Sequence, residues 1–110
     1  MESSMSSRLT IVVLSNKLTH SDYDWMNIFL YSNFIGKIRG KVNGKNLTIY
    51  TIMVFPEFQG HGYGEQVIDF LKKKFETIAA DRVRFSAIGF WEKMGFEKIS
   101  EGSFEYRKKV

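Results

Sequence analysis

At 110 residues, 44% hydrophobic and 15% aromatic, the chain is long and apolar enough to bury a core without staples. It has no cysteine, which excludes disulfides, a thiol nucleophile and thiolate metal sites; its two histidines, His20 and His61, match no metal-ligand spacing, so no metal is expected. The net charge of +4 fits solvated basic faces or attraction to a polyanionic partner, and no aromatic-and-basic strand signature marks a nucleic-acid module.

Residues 1–7 are small and polar and are expected to form a flexible N-terminus ahead of a single domain over 8–110. The run Leu9 to Leu14 is too short for a signal-peptide core or a membrane span, so a cytoplasmic protein with no membrane partner is expected. Ile11-Val12-Val13 predicts a strand within Arg8 to Ser15, and the polar stretch Asn16 to Asp24 predicts a loop or one helical turn. Met26 to Tyr31 reads as a strand, Ser32-Asn33 as a turn and Ile35 to Val42 as the next strand, thinned by Gly36 and Gly40. Asn43-Gly44 is a strong hairpin signal, from which Leu47 to Val54 pairs back. That strand is apolar on both faces, the mark of a position inside a sheet, and Pro56 ends it.

Gly64 to Ile78 carries Val67, Ile68, Leu71, Phe75 and Ile78 at helical spacing, with Lys72, Lys73 and Lys74 projecting largely from the other sides. Arg82 to Phe85 reads as a short strand. Ala87 to Met94 reads as a short helix, with Gly95 where a left-handed cap is needed. Phe96 to Ser100 and Phe104 to Lys108 form a hairpin around Glu101-Gly102-Ser103. The order β–β–β–β–α–β–α–β–β predicts an α/β fold with a sheet of mixed direction and helices packed on it.

The chemistry concentrates in Glu57-Phe-Gln-Gly-His-Gly-Tyr-Gly64, between the apolar strand and the long helix. A helix N-terminus offers backbone N–H groups with no internal partner and the positive end of the peptide dipoles. Glycines at 60, 62 and 64 remove the side chains that would hold a phosphate away from those donors. A nucleoside-triphosphate loop is excluded, because no Gly-Lys-Ser/Thr occurs. The dinucleotide fingerprint fits badly, since the glycines alternate one by one. A merely tight strand-to-helix connection is the bland alternative.

The arrangement Val54-x-Pro56, Gln59-x-x-Gly62-x-Gly64 and an amphipathic helix resembles the acetyl-CoA-binding motif of the GNAT superfamily of N-acetyltransferases. Downstream, Ala87-Ile-Gly-Phe-Trp-Glu-Lys-Met-Gly-Phe96 is similar to that family's Ala-Ile-x-Phe-Tyr-Glu-Lys-x-Gly-Phe run. The resemblance extends from about Met26 to the C-terminus. It implies a mixed central sheet with helices on both faces, here with a shortened N-terminal helical region. It also implies acetyl-CoA as acyl donor, with the pantetheine arm pairing near Met53 and Val54 beside a bulged, splayed strand. The pyrophosphate would lie on the amides of Gln59, Gly60, His61, Gly62, Tyr63 and Gly64, up to Glu65.

Where the resembling family keeps a proton-donating tyrosine, this chain has Trp91, whose indole N–H cannot release a proton at useful pH. Tyr50 and Tyr63 are the replacement acids considered, and His20, Asp22, Asp24 and His61 the candidate bases. Tyr50 and Thr51 occupy the positions where a carboxylate is common, and Arg84 stands where an asparagine is common. The short segment before Trp25 implies an open acceptor cleft, suited to an amine on a protein or another macromolecule. Two further readings remain beside N-acetyl transfer: a degenerate CoA-binding or protein-interaction module without catalysis, and a small basic nucleic-acid-binding protein. A homodimer stays open.

Overall fold

The computed structural model describes residues 9–14 and 22–109. The expected flexible N-terminus, Arg8, Ser15 and His20 lie outside these residues. Seven strands form one sheet: β1 (Leu9–Leu14), β2 (Asp24–Leu30), β3 (Asn33–Asn43), β4 (Asn46–Val54), β5 (Thr77–Ala80), β6 (Glu97–Ser100) and β7 (Ser103–Arg107). Their spatial order is β1-β2-β3-β4-β5-β7-β6. Every neighbouring pair is antiparallel except β4 and β5, which run parallel. The crossover between those two is the helix α1 (Tyr63–Lys74), and a second helix, α2 (Ile88–Lys93), precedes the C-terminal hairpin. No helix among the described residues is long and apolar enough to cross a membrane.

Strand alternation sorts the side chains into two faces. Met26 and Ile28 of β2, Ile38 of β3, Leu47 and Ile49 of β4, Ile78 and Ala80 of β5 and Phe104 of β7 are buried on one face. Val67, Ile68 and Leu71 of α1 and Trp91 of α2 pack into the same core. Fully burying one such side chain contributes about 1.5–3 kcal/mol, so this layer dominates stability. The mixed central sheet is as expected; of the helices expected on its two faces, those among the described residues stand side by side on one. α1 and α2 meet through Gly64 and Phe90, and through the ion pair Lys93 Nζ–Glu65 Oε2 at 2.8 Å. The opposite face presents Trp25, Asn27, Lys37, Arg39 and Lys41.

Two elements differ from the sequence reading. The long helix ends at Lys74 rather than continuing to Ile78, with Phe75 in extended backbone (φ −121°, ψ 146°). Thr77–Ala80 is instead β5, because Ile78 and Ala80 sit beside Leu47 and Ile49 in the sheet. The helical spacing of Ile78 to Leu71 is therefore incidental. Arg82 to Phe85 is not a strand: Arg82 has φ +56°, and Phe85 opens a short 3-10 turn and is 91% exposed. Lys72 also departs from the solvated row expected of it. It is half-buried, donates to the Met94 carbonyl and lies 4.6 Å from the centre of the Tyr106 ring. Asp24, considered a candidate base, is buried, and its Oδ2 accepts the Val42 N–H at 2.7 Å.

The β3–β4 hairpin turns at Gly44-Lys45, and further along the same pair a register shift falls between Arg39 and Gly40. A Cβ added to Gly40 would lie 2.3 Å from the Thr48 carbonyl oxygen, so glycine is required there by close backbone approach. Gly40→Ala is expected to destabilise the fold by about 1–3 kcal/mol, the range for forced overpacking, read as a lower urea midpoint at unchanged slope.

Candidate functional site

The parallel pairing of β4 and β5 is short, joining Asn46–Ile49 to Thr77–Ala80 and no further. On the other side of β4, Arg39 is opposite Thr51 and Gly40 is opposite Ile49, which leaves Tyr50 as the extra residue of a β-bulge. After Ala80 the chain leaves the sheet: Asp81 N–H makes a last bond to the Ile49 carbonyl at 2.9 Å, and Arg82 then turns it through positive φ. The two strands therefore part, and a cleft of about 360 Å³ opens between them. Tyr50, Met53, Asp81, Arg82, Arg84 and Trp91 are among its lining residues.

Backbone alternation decides which groups of β4 face this cleft. Phe55 N–H donates to the Ile35 carbonyl at 2.8 Å, directing residue 55 toward β3. Alternation then turns the backbone of Met53 toward β3 and that of Ile52 and Val54 toward the cleft. The Val54 carbonyl is already engaged by Gln59 Nε2 at 2.7 Å. The backbone groups of β4 left open to the cleft are those of Ile52 and the Val54 N–H; Met53, named with Val54 in the sequence reading, turns its backbone to β3.

The glycine turn lies beyond the open end of β4. The first bond of α1 runs from Gln66 N–H to the Gly62 carbonyl at 3.2 Å, so the N–H groups of Tyr63, Gly64 and Glu65 have no acceptor within the helix. No side chain caps this end. Gly60 and Gly62 have φ +84° and +78°, and a Cβ built on either would meet nothing within 4 Å. That is the geometry of an anion cradle: left-handed glycines, exposed amides and a helix dipole pointing the same way. Gly64 differs, because its added Cβ would only touch the Phe90 ring at 3.7 Å. Gln59 N–H donates to the Pro56 carbonyl at 3.2 Å, so its amide is engaged within the turn.

The remaining sequence candidates fall in different places. Tyr50 lines the cleft; Tyr63 is not in its lining, being half-buried against the core and stacked on His61 at 5.4 Å. His61 and Asp22 are exposed. Glu65, flanking the cradle, is paired with Lys93. Trp91 is 4% exposed and packs edge-on against Phe90 and Phe96 at 5.1 and 4.9 Å, which makes it a wall of the cleft. The sequence reading missed Asp81 and Arg82. Asp81 Oδ1 accepts from Ser103 Oγ at 2.7 Å and from Arg82 N–H at 3.0 Å, which fixes a carboxylate beside the splayed strands. Only the parallel register of β5 brings it there, and that register is not encoded locally.

A mixed sheet split between a parallel pair, a bulge at the split and an uncapped glycine-flanked helix beside it make one cleft that ends at an anion cradle. The acetyltransferase (GNAT) domain family matches residues 24–98, and the chain belongs to that family. It is 44% identical over 52 residues to an uncharacterised N-acetyltransferase of Oceanobacillus iheyensis, a match covering 47% of this chain and 32% of that protein. The chain therefore spans about a third of that relative's length. The fold is similar to that of the Bacillus subtilis N-acetyltransferase YlbP in complex with coenzyme A, with TM-score 0.59 and 22% identity over 76% of this chain and 66% of that one. It is also similar to a GNAT family acetyltransferase from Elizabethkingia anophelis with acetyl-CoA bound, with TM-score 0.61 and 13% identity over 91% and 98% of the two chains.

The two kinds of glycine separate by stability. Gly62→Ala places a side chain in left-handed backbone and is expected to cost about 1–2 kcal/mol. Gly64→Ala, in the first turn of α1 with room for the methyl group, should be neutral or stabilising by up to about 1 kcal/mol. Thermal melts of the two variants check this.

Proposed function

We propose that the protein is an acetyl-CoA-dependent N-acetyltransferase. The observation that carries this reading is the pairing of a bulge-opened cleft with an uncapped helix N-terminus flanked by Gly60 and Gly62. The residues fit the group. Gly60, His61, Gly62, Tyr63, Gly64 and Glu65 offer their amides to a pyrophosphate, with Gln59 beside them. Ile52 and Val54 offer a strand edge to the pantetheine arm, and Lys93 balances the carboxylate of Glu65.

Bound acetyl-CoA supplies an activated thioester. The acceptor amine nitrogen forms a bond to the acetyl carbon, the carbon–sulfur bond breaks, the amine loses a proton and the thiolate gains one. The chain's residues then have three tasks. An N–H on the open edge of β4 stabilises the oxyanion. Asp81, beside the cleft, takes the amine proton directly or through water. The Tyr50 hydroxyl supplies the proton to the thiolate; Tyr63 would need to reach the cleft from the cradle side. Trp91 packs and orients, and orientation itself contributes much of the rate with so activated a donor.

Acetyl-CoA at a hundredfold over its dissociation constant is expected to stabilise the fold by about 2.7 kcal/mol, seen as a thermal shift. Gly62→Glu should remove that shift and Gly62→Ala should largely keep it, since the two share backbone strain but only one places a carboxylate in the cradle. Absence of any shift at saturating acetyl-CoA would reject the reading. Tyr50→Phe and Asp81→Asn are each expected to slow release of free CoA by about 10²–10⁴-fold with the thermal shift intact. A second reading, a CoA-binding module without turnover, is favoured by Trp91 alone. It predicts the thermal shift with no CoA release on any amine.

A further inference from the structure

The sheet face opposite α1 and α2 carries an ordered set of cations and rings. On β3, Lys37, Arg39 and Lys41 alternate with the buried Ile38 and Gly40 and so share that face. Lys37 Nζ lies 5.3 Å from the Trp25 ring centre, and the Arg39 guanidinium lies 4.7 Å from that of Tyr23. Arg39 is pinned further by its bond to Thr51 Oγ1 at 3.2 Å. Tyr23 meets Tyr50 edge-on at 5.5 Å, and the Arg82 guanidinium lies 5.5 Å from the other partner in this chain of contacts, the Tyr50 ring. Tyr50, Arg82 and Arg84 then line the cleft itself. The contacts run from Arg39 through Tyr23 and Tyr50 to Arg82, and the Lys37–Trp25 pair adjoins them because Trp25 is the register partner of Arg39; together they make a track from the sheet face to the mouth of the cleft.

Lys41, Arg82 and Arg84 are exposed and Lys37 and Arg39 half-buried, and two observations set these residues apart. The ion pairs among the described residues, Lys45–Glu76, Lys93–Glu65, Lys98–Glu101 and Arg107–Glu105, involve none of Lys37, Arg39, Lys41, Arg82 and Arg84. Arg82 is also a non-glycine residue at φ +56°, held by its N–H bond to Asp81. Such backbone costs free energy and persists only where its surroundings over-determine it, most often at binding sites.

We propose that the acceptor is an acidic polypeptide segment, held along this track by its carboxylates so that its amine enters the cleft at Tyr50 and Asp81. The proposal rests on the acetyl-transfer reading and names its substrate class. Carboxylates along an extended chain match a row of cations at strand spacing, and opposite potentials also speed encounter. Polyamines and other polycationic acceptors meet repulsion at the same mouth. An oligonucleotide carries the right charge, but the rings it would stack on already have this protein's own cations against them.

The test is fluorescence anisotropy with the full chain at low salt, using labelled peptides of equal length, one rich in Glu and one rich in Lys, and an oligothymidylate of matched charge. The Glu-rich peptide is expected to bind at least tenfold tighter than either of the others. Arg82→Gln and Lys37→Gln should each weaken it severalfold, Arg39→Lys should retain it, and Lys74→Gln on α1 should leave it unchanged. Equal binding of the two peptides, tighter binding of the oligothymidylate, or an equal loss in Lys74→Gln would overturn the proposal. Because peptide binding is read without acetyl-CoA, its failure is distinct from failure of the acetyl-CoA thermal shift.

Discussion

The site depends on where the hydrogen bonds between β4 and β5 stop. A parallel ladder between two central strands would ordinarily seal the middle of the sheet, and every backbone group there would have a partner. In this chain the extra residue Tyr50 changes the course of β4, while Asp81 and Arg82 carry the other strand away after a last bond to Ile49. Unpaired edge is normally a liability, open to association with other chains. Here it is recessed between the strands and walled by Trp91, so it remains available to a ligand without forming a free sheet edge.

The cradle and the cleft are two ends of one arrangement. β4 leads directly through the turn at Pro56–Phe58 into the glycines and α1, so the strand edge and the helix N-terminus are set by the same short stretch of backbone. Gln59 ties this stretch down by returning its side chain to the Val54 carbonyl. The cradle and the open strand edge are thereby positioned by one covalent path, and an error in one would displace the other.

Much of this was legible in the sequence, wherever the determinant is local. The hairpin signalled by Asn43-Gly44, which turns one residue later at Gly44-Lys45, the long helix after the glycines, the cap at Gly95 (φ +87°) and the family resemblance all follow from neighbouring residues. What was not legible depends on distant partners. Ile78 has helical spacing to Leu71, and Thr77–Ala80 becomes a strand only because Leu47 and Ile49 lie alongside. The bulge at Tyr50 has no signature of its own, and neither the position of Asp81 nor the turn at Arg82 can be read without knowing where β5 ends. The sequence shows Trp91 only as the residue in place of a tyrosine, and its role as a packed cleft wall emerges in three dimensions.

Six residues, the length of α2, are too few for a helix to stand by itself in water. Beyond the burial of Trp91, its C-terminal end is fastened to two points of α1: Lys93 to Glu65 in the first turn, and the Met94 carbonyl to Lys72 near the last. The first link is exposed and contributes little alone, about 0–1 kcal/mol, but the second is half-buried under the Tyr106 ring. One wall of the cleft therefore does not fray as an isolated short helix would. It opens only when α1 lifts from the sheet, and that means exposing Val67, Ile68 and Leu71. The shorter of the two described helices is thereby tied to the central core through Trp91.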